Sequence, residues 1–167
     1  GPSAAAVLDR LSAGNVAGDV GRVVYTQWLN DAGGIMADLT VTRLAEDEFL
    51  VVVSDITHRR VERMIRAEVR EGEFASVADM TSAYTLLTVQ GPRSRELLSR
   101  VSSNDLSDSA FPYLTCAEIE VGYSRVLALR VTYVGELGYE LYIPSDQAVS
   151  VWETLEAAGA VLGLRPV

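Results

Sequence analysis

Two spacings of hydrophobic residues run through the chain, one of two residues and one of three to four, and each marks a different element. Residues 4–11 predict a short helix, and residues 12–21, rich in Gly, Ala and Asn, a loop. Residues 22–29 and 35–43 predict two strands around the turn sequence Asn30-Asp31-Ala32-Gly33-Gly34, which is a hairpin signal. In the second strand, alternation puts Met36, Asp38 and Thr40 on one face, and Ile35, Ala37, Leu39 and Val41 on the other. Another strand follows at residues 49–53. A helix then runs from about 59 to 69, with Thr57 as its N-cap and Val61, Met64 and Ile65 as its apolar stripe. Residues 85–89 form a short strand that stops at Gly91-Pro92, and Pro92 suits the first turn of a helix reaching about residue 101. Strands are expected at 117–121, 126–133 and 139–143. Ser145 is expected to cap a last helix, to about residue 158, with Val149, Trp152 and Leu155 as its core stripe.

This order gives an α+β fold of mostly antiparallel sheets with flanking helices. One echo refines it: residues 41–53 and 131–143 share a strand–turn–strand plan followed by a helix. Phe49, Val51 and Val53 fall opposite Tyr139, Leu141 and Ile143. The echo implies two half-domains of similar build, with a cleft between them as a natural ligand site.

Composition narrows the chemistry. Among 167 residues the formal charge is −9, and all 14 basic residues are arginines. That balance argues against a nucleic-acid surface, and the lack of lysine removes Schiff-base chemistry and a lysine-bearing phosphate loop. One cysteine, Cys116, allows no internal disulfide or cysteine cluster, and its place in an expected strand suits a small buried hydrophobe. One histidine, His58, supplies neither a zinc site nor a Ser-His-Asp triad. No apolar run is long enough to span a membrane, no secretory signal is evident, and a cytoplasmic location is expected. Gly1-Pro2-Ser3 reads as a cleavage scar. Carboxylates, tyrosines, hydroxyls and backbone groups are what remain.

Two stretches concentrate them. Residues 25–41 carry the double glycine and then Asp38 inside an otherwise apolar strand. Either Asp38 is simply solvated, or it points into a cleft where desolvation lifts its pKa into a useful range. Residues 133–142 hold two glycines, two glutamates and three tyrosines. That inventory fits a planar heterocycle with several ring N–H donors, although an amphipathic hairpin with interfacial tyrosines has the same composition. Glu136, near the turn, reads as the solvated glutamate. Glu140, inside the strand, needs a partner if it is buried.

Residues 29–41, Val89-Gln90-Gly91-Pro92 and Tyr133-Val134-Gly135-Glu136-Leu137-Gly138-Tyr139-Glu140 resemble, in order and spacing, the glycine-cleavage T-protein (aminomethyltransferase) family. That family includes the folate domains of dimethylglycine and sarcosine dehydrogenases and oxidases. The resemblance runs from about Val20 onward. It is closest to the amine dehydrogenases, because Ala37 precedes Asp38 where T-proteins usually have a second aspartate. It implies tetrahydrofolate as cofactor, with Asp38 beside the folate nitrogens that accept the one-carbon unit. By the same resemblance Tyr113, Tyr133 and Glu140 line the pterin pocket, and Thr40, Val52, Leu141 and Tyr142 match further pocket positions.

The implied activity is capture of a one-carbon unit from an N-methyl amine or aminomethyl donor to form methylenetetrahydrofolate. Its partners would be a flavin domain, with FAD, lying upstream, or a lipoyl carrier protein. The family continues beyond residue 167 into a segment with a folate-contacting arginine and then a C-terminal barrel, so residues 4–167 are expected to be a partial folate-binding domain. A non-catalytic binding module and a folate-dependent O- or S-demethylase are the alternatives on the same scaffold.

Overall fold

The computed structural model describes residues 1–167, which divide into two compact units, Gly1–Asp79 and Met80–Val167. Both are α+β with antiparallel strands, as the hydrophobic pattern predicts.

In the first unit β1 (Val23–Leu29), β2 (Ile35–Ala45) and β3 (Glu48–Val53) form a three-stranded sheet in that order, accompanied by α1 (Ala4–Leu11) and α2 (His58–Glu68). Alternation separates the faces. Trp28, Ala37, Leu39 and Val41 join Val7 and Leu8 of α1 and Val61 and Ile65 of α2 in one core. Trp28 is fully buried, and its indole N–H donates to Ser12 Oγ at 3.0 Å, so the loop after α1 satisfies the one polar atom of a large apolar side chain.

The β1–β2 turn closes through Asn30, whose Oδ1 accepts from the N–H of Ala32 at 3.0 Å and of Gly34 at 2.8 Å. Gly33 sits at φ +79° with open space around the place of a Cβ. Gly33→Ala should therefore cost backbone strain alone, about 1–2 kcal/mol, read as a lower midpoint in thermal or urea denaturation.

Arg10 ties α1 to the end of α2 and the chain beyond it. Its Nε meets Glu68 Oε1 at 2.6 Å, and its Nη2 meets Glu73 Oε2 at 2.8 Å. Both carboxyls are held below the ordinary glutamate value, chiefly by their hydrogen bonds to Arg10. A depressed folded-state pKa contributes stability above the unfolded value and loses it as pH falls through the folded one. Thermal midpoints of the wild type should fall below about pH 4.3, the free glutamate value, and Arg10→Ala should flatten that acid limb.

The second unit holds β4 (Tyr84–Gln90), α3 (Ser94–Val101), β5 (Cys116–Val121), β6 (Ser124–Leu129), β7 (Gly138–Pro144) and α4 (Ala148–Gly159). The sheet order is β4-β7-β6-β5. Val89, Ala128, Tyr139, Leu141 and Ile143 pack with Leu97 and Leu98 of α3 and Val151 and Leu155 of α4. Of the echo between the halves, the second strand, the turn after it and the helix recur at a constant offset of ninety residues, whereas residues 131–137 form no strand to match β2. β3 and β7 begin at 48 and 138, each leads into a 3₁₀ turn at 55 and 145, and the helices start at 58 and 148.

Several expectations need correction. Thr57 and Ser145 do not cap helices with their side chains, because a 3₁₀ turn precedes each helix; their hydroxyls donate to the carbonyls of Ser54 and Ser82 instead. In α4 Val151 and Leu155 are buried, while Val149 is 70% and Trp152 41% exposed. Pro92 precedes α3, which begins at Ser94 after Gly91 turns the chain at φ +111°. β6 ends at Leu129, not at Tyr133: the Val131 N–H turns back to the Leu129 carbonyl at 3.0 Å and takes the chain out of the ladder. Cys116 is half-buried at the start of β5, and burial pushes its thiol pKa up. Ser3, just before α1, donates its N–H to the Phe74 carbonyl and accepts from the Phe74 N–H on its hydroxyl, bonds that do not bear on whether residues 1–3 are a cleavage scar. No helix is long and apolar enough to cross a membrane.

Candidate functional site

In the first unit the candidate residues lie on the sheet face opposite the helices. Register pairs Asp38 with Gln27, and Thr40 with both Tyr25 and Val52, so Asp38, Thr40 and Val52 share that face with Tyr25 and Gln27. Asp38 is exposed and accepts a hydrogen bond from the Tyr25 hydroxyl at 3.2 Å on Oδ2. The aspartate is thus presented to solvent, four residues beyond the Gly33-Gly34 turn, beside a phenol that is itself 60% exposed. Tyr25 is the residue that reading along one strand misses. It becomes visible only when β1 is folded back on β2 in register.

In the second unit β7 separates its residues by parity. Tyr139 and Leu141 point into the helix-backed core and are fully buried. Gly138, Glu140 and Tyr142 take the other face. Leu141 therefore does not join the polar candidates: its side chain belongs to the core. Glu140 Oε2 accepts from the Tyr142 hydroxyl at 2.7 Å. Burial, then the charge and hydrogen bond of Glu140, push the Tyr142 pKa up, so its hydroxyl stays protonated and keeps donating. The carboxylate is held from one side, and Oε1 has no partner in the chain.

Beside this hairpin lies a depression of about 340 Å³ lined by Tyr113, Arg130, Thr132, Gly135, Glu136, Leu137 and Gly138. Glu136 is exposed at its edge, as its turn position predicts. Tyr113 is 57% exposed, and Tyr133, almost fully exposed, is not among the lining residues. Two polar atoms of the lining, Arg130 Nε and Thr132 Oγ1, are buried without a hydrogen-bond partner. So is Gln90 Oε1, which lies 1.9 Å from where a Cβ on Gly138 would stand. Buried polar atoms of this kind are uncommon and mark a place where a polar ligand can complete the bonding. Only glycine at 138 leaves room for the Gln90 amide. The sequence pattern sets Arg130 and Thr132 in an expected strand, not in a ligand site, and only the end of β6 at Leu129 brings them to the depression.

The family model described as GCVT N-terminal domain matches residues 1–167. The chain is 41% identical, over 99% of its length, to 4-methylaminobutanoate oxidase (formaldehyde-forming) of Paenarthrobacter nicotinovorans, of which it spans 20%. It is 38% identical to an aminomethyltransferase of Halothermothrix orenii, again over 99% of the chain, and spans 46% of that protein. Human mitochondrial dimethylglycine dehydrogenase is 32% identical over 95% of the chain, which spans 18% of it. The chain thus spans less than half the length of each of these relatives. Among solved structures, aminomethyltransferase T of Bartonella henselae superposes with a TM-score of 0.78 at 25% identity, over 93% of this chain and 41% of that one. The heterotetrameric sarcosine oxidase of Corynebacterium sp. U-96 shares the fold, with a TM-score of 0.76 at 18% identity, over all of this chain and 78% of that one.

Proposed function

Because the chain belongs to the GCVT N-terminal domain family, we propose that it is the tetrahydrofolate-binding portion of a one-carbon transferase, taking the unit from an N-methyl amine or an aminomethyl donor. The observation that carries the reading is the Glu140–Tyr142 pair, which lines no part of the depression itself but shares a strand face with Gly138, one of its lining residues. A carboxylate steadied on one oxygen, with its other oxygen open, is an acceptor for the paired N–H groups of a pterin ring. The unpartnered atoms of Thr132 and Gln90 support the fit, since a heterocycle rich in donors and acceptors satisfies such groups.

Tetrahydrofolate, when bound, supplies the nitrogen nucleophiles that accept the one-carbon unit. The chain's own residues do the rest. Glu140 binds and orients the ring, Tyr142 fixes Glu140, and Tyr113 and Tyr133 offer aromatic faces that shield it. Thr40 and Val52 flank Asp38 on the sheet face of the first unit. Asp38 moves a proton and stabilises positive charge developing at the reacting carbon. The Tyr25 hydroxyl holds Asp38 Oδ2, leaving Oδ1 to act.

The donor comes from outside these residues. An N-methyl amine requires prior oxidation, which a flavin domain carrying FAD would perform; an aminomethyl group would arrive on a lipoyl carrier protein. The test supplies the full-length protein with tetrahydrofolate and a ¹³C-labelled donor of each class, and follows the label by mass spectrometry. Label appearing in methylenetetrahydrofolate from either donor is the expected result. Label released only as formaldehyde from both would remove folate capture from the function.

A further inference from the structure

Tyr113, an exposed residue, is followed by an unusual piece of backbone. Leu114, the residue after it, has φ +61° and is the only non-glycine residue with positive φ. A leucine held there is strained, and such a conformation persists only where its surroundings over-determine it. The surroundings in question are those of Arg130. Its carbonyl accepts the Leu114 N–H at 3.0 Å, and its own N–H donates to the Thr115 carbonyl at 2.9 Å. Its guanidinium donates through Nη1 to the Phe111 carbonyl at 2.6 Å and through Nη2 to Asp108 Oδ1. Asp108 in turn meets Arg95 Nη2 at 2.6 Å, and Arg95 Nε donates to the Tyr139 hydroxyl at 3.3 Å. The loop at 111–115 is thereby tied through one side chain, 11% exposed, to a residue of the core.

We propose that Arg130 is a positioning residue: anchored on Asp108, it holds the Phe111 carbonyl and fixes the left-handed turn at Leu114 that presents Tyr113 to the ligand in the adjoining depression. The proposal rests on the folate-binding reading above for the identity of that ligand, and on the loop geometry alone for the clamp itself. Lysine cannot replace Arg130, because a single ammonium group does not reproduce a planar fork that reaches a carbonyl and a carboxylate at once.

The experiment uses full-length protein carrying Arg130→Met, Arg130→Lys, Tyr113→Ala, or Arg130→Met with Tyr113→Ala. Asp108→Asn, at an exposed site, is the variant to read if Arg130→Met fails to fold. Two readouts are taken, amide hydrogen exchange across residues 111–115 without ligand, and the Kd for tetrahydrofolate. Arg130→Met and Arg130→Lys should speed exchange of the Leu114 amide at least tenfold while leaving the β7 amides unchanged, and Asp108→Asn should act in the same direction. Arg130→Met and Tyr113→Ala should each weaken binding about tenfold, and the double variant no more than about twice as much as either alone.

Unchanged exchange at Leu114 in the Arg130 variants would overturn the clamp. Binding losses that multiply in the double variant, or faster exchange with an unaltered Kd, would show that Arg130 does not act through Tyr113. A wild-type protein that does not bind tetrahydrofolate would defeat the folate reading, and the exchange result would still decide whether Arg130 holds the turn.

Discussion

Replacing Asp38 by alanine in the full-length protein is expected to abolish transfer of the one-carbon unit to tetrahydrofolate while leaving the fold intact. Asp38 is exposed and its one hydrogen-bond partner, Tyr25, is exposed too, so its loss should change stability by less than about 0.5 kcal/mol. The rate of methylenetetrahydrofolate formation, in contrast, should fall by about 10²–10⁴-fold, the usual range for removing a positioned acid or base. Asp38→Asn keeps the shape and the contact with Tyr25 but not the charge, and should be as damaging as alanine. If a flavin domain generates the one-carbon unit, its oxidation rate should be unaffected in both variants. The check is a steady-state assay of the methylene product, with a thermal midpoint to report the fold. Unchanged product formation in either variant would remove Asp38 from the chemistry.

The second large effect separates the two glutamates of one hairpin. Glu140 shares its face with Gly138 and Tyr142, and the Tyr142 hydroxyl holds its Oε2. Glu140→Gln removes the charge and replaces one acceptor oxygen by a donor, so ring N–H groups lose their partner and meet an N–H instead. Tetrahydrofolate binding should weaken by about 1.5–3 kcal/mol, the range for a hydrogen bond to a charged group. Glu136 is exposed at the edge of the depression, where water solvates either side chain. Glu136→Gln should therefore change binding by less than about 0.5 kcal/mol. Calorimetric titration of the two variants decides between them, and a larger loss at Glu136 would reverse the assignment.

The β1–β2 hairpin was legible because Asn30 and Gly33 are the residue types its turn requires, and period-two alternation then placed Asp38 opposite Ala37 and Leu39. The same alternation put Glu140 with Tyr142 and away from Tyr139. The structure puts the Leu141 side chain in the core, where the family resemblance implies a pocket position.

What was not legible depends on contacts between distant segments. Tyr25 meets Asp38 only through the register of two strands, and Arg130 meets Phe111 and Asp108 only once β6 leaves the ladder at Leu129. Apolar spacing alone also mis-set α4. Val149, Trp152 and Leu155 recur every three residues, but Val151 and Leu155, spaced by four, are the pair the helix buries.

The central claim, that this domain takes tetrahydrofolate, is tested most directly by isothermal titration of the full-length wild-type protein with tetrahydrofolate under reducing, anaerobic conditions. Saturable binding at one site per chain is the expected result. A titration without saturable binding, by a protein shown to be folded by its thermal transition, would contradict it.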